Sequence, residues 1–329
     1  MKKWAARLTL WIASAILADL LAHSTGPGVI MALALGLSIA VGAFALILGR
    51  PLWAAVSILF AVSGLWLSPI RLLDRWLLPL AEVVMGMMVA WWSRHAKSGR
   101  IAPRDGFFGF VMLIMVSIIL SVSLMIGHLV TLSSNLHLLL AAYLLTPPTE
   151  LLIVLMILGR HQMIGPFLRR NYVWRRGGWW LVGVGLATGF AMSFITAFLV
   201  NMERGIAHIT IHSNNPFVYA HGLIPRHAEF VVFLMILAIV VMAPLAEEIL
   251  FRGILFGSLW PIWGLSWAVI VAGTIFGLAH MNLTLLIPLA CAGMLLNLIY
   301  YKTRSLIPST IAHATFNLLS VVLALSAFR

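Results

Sequence analysis

The segment FVVFLMILAIVVMAPLAEEILFRGILF, residues 230–256, decides the fold. From Phe230 to Ala246 it carries no charged side chain, and only Pro244 departs from a plain apolar helix. A bilayer crossing needs about 20 mostly apolar residues, and this segment supplies one. It then does something a lipid-facing helix avoids. It places Glu247 and Glu248 side by side, with Arg252 one turn later.

The rest of the chain has the same apolar character. Of its 329 residues, 62% are hydrophobic and 9% are charged, where a soluble domain carries about a quarter charged. Backbone polar groups in lipid must bond within the protein, so spans are helices or closed barrels. Barrel strands alternate polar and apolar side chains, and these runs do not. The expectation is an all-α, polytopic integral membrane helix bundle of about 10–11 transmembrane helices. Spans read at about 4–23, 28–49, 51–70, 76–93, 107–129, 137–159, 179–201, 230–256, 265–282, 284–301 and 306–327. Pro147-Pro148-Thr149-Glu150 interrupts the sixth, which reads as a broken helix or two half-segments.

The net charge of +12 has no basic face with interleaved aromatics, so nucleic acid is not an expected partner. The cations sit in short links instead. Lys2, Lys3 and Arg7, the loop 94–106, the loop 160–178, and Lys302 with Arg304 fall on one side under this span count; Arg71 and Arg75 fall on the other. The bias predicts a multi-pass protein of the cell (inner) membrane with a cytoplasmic N-terminus, its basic links drawn to anionic lipid heads. The run after Met1-Lys2-Lys3 reaches Leu21 and reads as an uncleaved first helix. Trp91-Trp92 and Trp179-Trp180 lie at span ends and read as interfacial anchors. A boundary in the basic loop divides the chain into an accessory block, 1–159, and a core, 160–329.

Only nine acidic residues exist, and a carboxylate in hydrocarbon costs about 2.5–3.5 kcal/mol on insertion scales. The adjacent pair Glu247-Glu248 is therefore the first candidate site. Arg252, four residues past Glu248, shares its helical face and can hold it ionised. Glu247 points elsewhere on the helix, free to face a substrate or water. Two further polar groups lie in later apolar helices: Phe276-Gly277-Leu278-Ala279-His280, and His313-Ala314-Thr315-Phe316-Asn317, whose His and Asn share a face. A glutamate with two histidines can activate water through a metal. It can also do so directly as a base, with His and Asn stabilising an oxyanion. The same groups could instead be hydrogen-bonding glue between helices.

The ordered set Glu247-Glu248-x-x-x-Arg252, Phe276-x-x-x-His280 and His313-x-x-x-Asn317 resembles the CAAX prenyl protease and bacteriocin-processing (CPBP) family of intramembrane peptidases. The resemblance covers roughly residues 160–329. It implies hydrolysis of a peptide bond in a membrane-associated or lipid-modified peptide or protein. By resemblance Glu247 and His280 activate the water, His313 and Asn317 stabilise the oxyanion, and Glu248 with Arg252 holds the site together. It also implies a divalent metal such as zinc on Glu247, His280 and His313, or a metal-free glutamate mechanism. Some relatives are scaffolds or self-immunity proteins, which is the alternative reading. The chain has more spans than the family core needs. With these boundaries His280 sits near the outer end of its span, away from Glu247 and His313. Either that helix runs on toward Pro288, or the helices are tilted and short.

Other residues take structural readings. Asp19 near His23 suits an interface, and Glu82 suits a pairing with a basic neighbour. Glu150 after Pro147-Pro148 suits a helix N-terminus. His208, His212, His221 and His227 read as solvated loop histidines, and Cys291 as a small buried apolar residue. A transporter would show related halves, and residues 1–160 hold no echo of the Glu247 region.

Overall fold

The computed structural model describes Trp92 and residues 101–131, 135–174, 178–207 and 229–326. The spans expected at 4–23, 28–49 and 51–70, nearly all of 76–93, and Asp19, Glu82, His208, His212, His221 and His227 lie outside these residues. Among the described residues the regular elements are all helical. They are α1 (Pro103–Thr131), α2 (Asn135–Arg160), α3 (Ile164–Asn171) and α4 (Trp179–Ala207). A composite rod follows: α5 (Glu229–Leu237), a π-helical stretch Ala238–Met242, α6 (Ala243–Glu247), a second π-helical stretch Glu248–Phe256, and α7 (Gly257–Ala279). A 3-10 turn (Leu283–Leu285), α8 (Leu286–Thr303) and α9 (Leu306–Ser326) complete the order.

Among the described residues four stretches are long and apolar enough to cross a membrane: Trp179–Ile206, Phe230–Ala279, Leu283–Thr303 and Leu306–Ser326. The protein is a multi-pass membrane protein. The second stretch has 50 residues, about 75 Å at the α-helical rise, and is far too long for one ~30 Å crossing. It turns back at Gly264, whose φ of 76° and ψ of 166° only glycine adopts freely. The rings of Phe251 and Phe276 meet at 5.3 Å, so the two limbs lie against each other. The expected link at 257–264 is thus helical up to the break.

The described residues belong to two compact units. One contains Met115–Gln162, and the other joins Gly99–Ile114 with Met163–Arg329. In the first, α2 runs unbroken through Pro147 and Pro148, so the expected interruption is absent. Glu150 is consequently buried within a helix, not seated at a helix N-terminus. Trp92 is also fully buried, its ring 6.2 Å from that of His161; the interfacial reading fails there. Trp179 and Trp180 are exposed at the start of α4, as anchors should be.

In the second unit the expected loop 160–178 contains α3. Phe167 and Asn171, four residues apart, face inward, while Arg169 and Arg170 face out. The Phe167 ring lies so close over Gly253 that any Cβ there would collide with it. Asn171 Nδ2 donates to Phe167 O at 2.9 Å, and Tyr300 Oη donates to Asn171 Oδ1 at 2.6 Å. Cys291 is half-buried.

Glycines set how closely the crossing helices approach. A Cβ on Gly185 would lie 2.7 Å from Ile311 Cβ, and one on Gly189 would lie 2.5 Å from Thr315 Cβ and 2.6 Å from Ala312 O. Gly273 sits as tightly on Met294 and Ala290, and Gly277 on Leu286. Both pairs are four residues apart, the small-xxx-small pattern that lets backbones meet where no hydrophobic drive exists between helices in lipid.

Candidate active site

Pro244 organises the centre of this unit. It has no N–H, so the carbonyl that would receive it is left without its helical partner. The backbone before it is π-helical, with Ala243 N donating back to Ala238 O, a five-residue step. In that register the next carbonyl, Ile239 O, would await residue 244. Asn317 Nδ2, on α9, donates to Ile239 O at 2.9 Å. One proline thus opens a backbone acceptor at membrane depth, and one amide from another helix fills it. The expected plain α-helix over 230–256 is therefore an alternation of α and π turns, and π segments recur at functional sites.

The two carboxylates at the junction of α6 and the second π stretch part company. Glu248 is fully buried and Glu247 keeps 13% of its side chain exposed. Arg252 Nη1 lies 2.9 Å from Glu248 Oε1, the pairing expected from the four-residue spacing. A π turn takes in nearly one more residue than an α turn, so four residues still return close to the same face. His313 Nδ1 lies 3.0 Å from the same Glu248 oxygen. A carboxylate accepts, so Nδ1 carries the proton, and Nε2 turns toward Glu247 Oε2 at 3.9 Å. That distance is too long for a direct hydrogen bond. Glu247 Oε2 is buried and has no hydrogen-bond partner among the described residues.

Phe276 is the residue whose part sequence reasoning missed. Its ring carries the Arg252 guanidinium at 4.3 Å and meets Phe251 at 5.3 Å. It also meets His280 at 4.9 Å and His313 at 5.6 Å. The guanidinium is further held by Gly293 O, which accepts from Nη2 at 3.5 Å. A Cβ on Gly293 would lie 3.0 Å from Phe276 Cδ1, so the site needs glycine there. The signal was available as the first letter of Phe276-x-x-x-His280, but spacing cannot show that one ring touches four partners.

His280 ends α7. Its Nδ1 donates to Phe276 O at 2.9 Å. The helix does not run on toward Pro288. It stops at Ala279, turns at Met281 (φ 50°), and restarts at Leu286 after Asn282 Oδ1 accepts from Thr284 N at 3.0 Å. His280 joins the cluster through the Phe276 ring.

The resemblance implied a metal on Glu247, His280 and His313. No group of three His, Cys, Asp or Glu side chains among the described residues converges closely enough to hold an ion. In this arrangement Glu247, His280 and His313 are not drawn together as a ligand set. Tyr172, just past α3, stands beside Thr310; burial pushes its phenol up to about 12, so it remains a neutral hydroxyl at ordinary pH.

Known proteins bear on the same region. Residues 229–319 match the family model of the type II CAAX prenyl endopeptidase Rce1-like proteins. Over 96 residues the chain is 30% identical to the "Putative membrane peptidase YdiL" of Bacillus subtilis (strain 168), covering 29% of this chain. The matched part spans about two fifths, 39%, of that curated relative's length. No solved structure matches. The segment carrying all three motifs is thus the segment that is similar to this peptidase family.

Proposed function

We propose that residues 160–329 form an intramembrane peptidase. It hydrolyses a peptide bond in a membrane-associated or lipid-modified protein or peptide, with Glu247 as general base. The observation that carries this reading is the contrast within the acidic pair. Glu248 is bonded to Arg252 and His313, whereas the neighbouring buried oxygen of Glu247 has no hydrogen-bond partner among the described residues. Interhelical glue accounts for Glu248 Oε1, Arg252 Nη2 and Asn317, which meet one another's helices or the backbone, although Glu248 Oε2 and Arg252 Nε also lack hydrogen bonds among the described residues. It leaves the buried Oε2 of Glu247 without a hydrogen bond, and such a buried polar atom is costly unless a ligand or water meets it.

In the proposed reaction Glu247 takes a proton from a water molecule as its oxygen attacks the scissile carbonyl carbon. The carbonyl π electrons move onto oxygen. Held by Glu248 through Nδ1–H, His313 turns Nε2 toward that oxyanion and donates to it when Nε2 carries a proton. Asn317 keeps a second amide hydrogen beyond the one given to Ile239, on the same face of α9. The intermediate collapses, the C–N bond breaks, and Glu247 returns its proton to the leaving nitrogen. Glu248 and Arg252 hold His313 in place and do not touch the reacting atoms. His280, at the end of α7 and against the Phe276 ring, takes by resemblance a part in activating the water.

The reading is tested with Glu247→Gln. Purified in detergent, the variant should retain wild-type helicity and thermal midpoint, and lose cleavage of a prenylated or membrane-anchored peptide by about 10²–10⁴-fold, the usual worth of a general base. Wild-type cleavage by the variant sinks the mechanism. Loss of folding without loss of specific activity favours a scaffold.

A further inference from the structure

We propose that α3 and the turn between α8 and α9 form a binding site for the phosphodiester headgroup of an anionic phospholipid. This goes beyond the peptidase reading and does not depend on it. Far-separated segments supply the cations. Arg169 and Arg170 end α3, and Lys302 and Arg304 end α8; all four are exposed. The Tyr300–Asn171 hydrogen bond of 2.6 Å ties the two ends together, so Arg170 and Arg304 flank one tyrosine. Arg304 is held in the left-handed conformation (φ 54°), with its N–H bonded to Tyr300 O at 2.8 Å. Its guanidinium lies 4.4 Å over the Trp260 ring and 4.6 Å over Tyr301. That stack fixes the charge in place before any ligand arrives, and a planar guanidinium suits phosphate oxygens.

No carboxylate among the described residues pairs with these four cations within 4.0 Å. The carboxylates Glu247 and Glu248 pair with Arg252 and His313 instead. Arg170 and Arg304 beside Tyr300, with Arg169 and Lys302 on the same two helix ends, need an anionic partner or dilute salt. The surroundings say which partner. Leu168, Trp174, Trp179 and Trp180 are exposed beside α3; Trp174 and Trp179 meet edge to face at 5.4 Å. Amphipathic indoles next to a cationic helix end match the headgroup level of a bilayer. A soluble phosphate would have no use for them. The site also has a mechanical connection. Phe167 of the same helix rests on Gly253, one residue past Arg252, so a lipid seated here steadies the π-helical stretch that carries the acidic pair.

The test uses the full chain, delipidated in non-ionic detergent and titrated with dioleoyl phosphatidylglycerol or phosphatidylcholine, with bound lipid counted by native mass spectrometry. The double variant Arg170→Gln/Lys302→Gln changes two exposed side chains, and Arg170→Lys/Lys302→Arg keeps their charge. Wild type and the charge-keeping variant should bind phosphatidylglycerol in preference to phosphatidylcholine, and added salt should weaken that preference. The Gln double variant should lose about 30-fold in phosphatidylglycerol affinity, at about 1 kcal/mol for each cation, with phosphatidylcholine binding unchanged. Equal retention of phosphatidylglycerol by the Gln variant overturns the site. Displacement of the lipid by millimolar inorganic phosphate overturns the lipid in favour of a soluble anion. Displacement by a peptide with a free C-terminal carboxylate assigns the patch to substrate. Since the readout is bound lipid, a failed peptidase assay leaves this result intact.

Discussion

Helices α4 and α9 meet through bare backbone, whereas the Glu247–Arg252 stretch meets α8 and α9 through charge. In the first contact Gly185 and Gly189 remove side chains until Ala312 O and Pro308 O almost touch the opposing helix. Nothing polar is invested, and dispersion over a close interface does the holding. In the second contact an ion pair, a shared histidine and a stacked guanidinium replace the glycines. A close-packed apolar seam could have joined these helices at lower cost, since desolvating an ion pair often cancels its attraction. The difference teaches where this fold accepts an energetic penalty for chemistry, and where it simply packs.

The comparison breaks most visibly at Arg252. Arg252→Ala leaves Glu248 buried beside Glu247 with its strongest partner gone, and should destabilise the protein by about 3–5 kcal/mol. Urea or SDS unfolding in mixed micelles, followed by tryptophan fluorescence, reads the loss. A double change, Glu248→Gln with Arg252→Met, removes both charges and should recover much of that stability while cleavage stays abolished, because His313 loses its orienting carboxylate. If Arg252→Ala unfolds at the wild-type midpoint, the polar centre is not a structural element and the contrast collapses.

The glycine seam should respond more weakly and in a different quantity. Gly189→Val forces a Cβ to within 2.5 Å of Thr315 Cβ, and overpacking of this kind costs about 1–3 kcal/mol. Cleavage per folded molecule should stay within about twofold, the allowance that the partial relaxation of an overpacked core suggests. A drop in specific activity larger than the drop in folded fraction would show that the seam positions His313, which lies two residues before Thr315.

Much of this division could be read in the residues. Glu247-Glu248 was conspicuous because acids are rare in the chain, and its pairing with Arg252 follows from a four-residue step. The late spans were legible from apolar run length, to within a few residues at α8 and α9. Three things were not. The α–π alternation follows from Pro244 only once the orphaned Ile239 carbonyl is considered, and a hydropathy run does not reveal backbone register. Helix α3 hid in a segment whose arginines read as loop, because eight residues give too few turns for a periodic pattern to stand out. Phe276 looked like one more apolar residue, since its importance lies in which helices surround it.

Asn317 separates packing from catalysis most finely. Its hydrogen bond to Ile239 O belongs to the packing side of the comparison, and its spare amide hydrogen belongs to the chemical side. Asn317→Ala removes both. The structural loss should be small, about 0.6–1.7 kcal/mol as for other interhelical hydrogen bonds in membranes, because water or a shift toward α geometry can serve the freed carbonyl. If the spare hydrogen also meets an oxyanion, kcat should fall by about 10²–10³-fold with KM little changed, the signature of a donor used only in the transition state. Steady-state kinetics beside a thermal melt distinguish the outcomes. A lower melting point with wild-type kcat assigns Asn317 to Pro244 and the backbone alone, and His313 would then be the remaining oxyanion donor on α9.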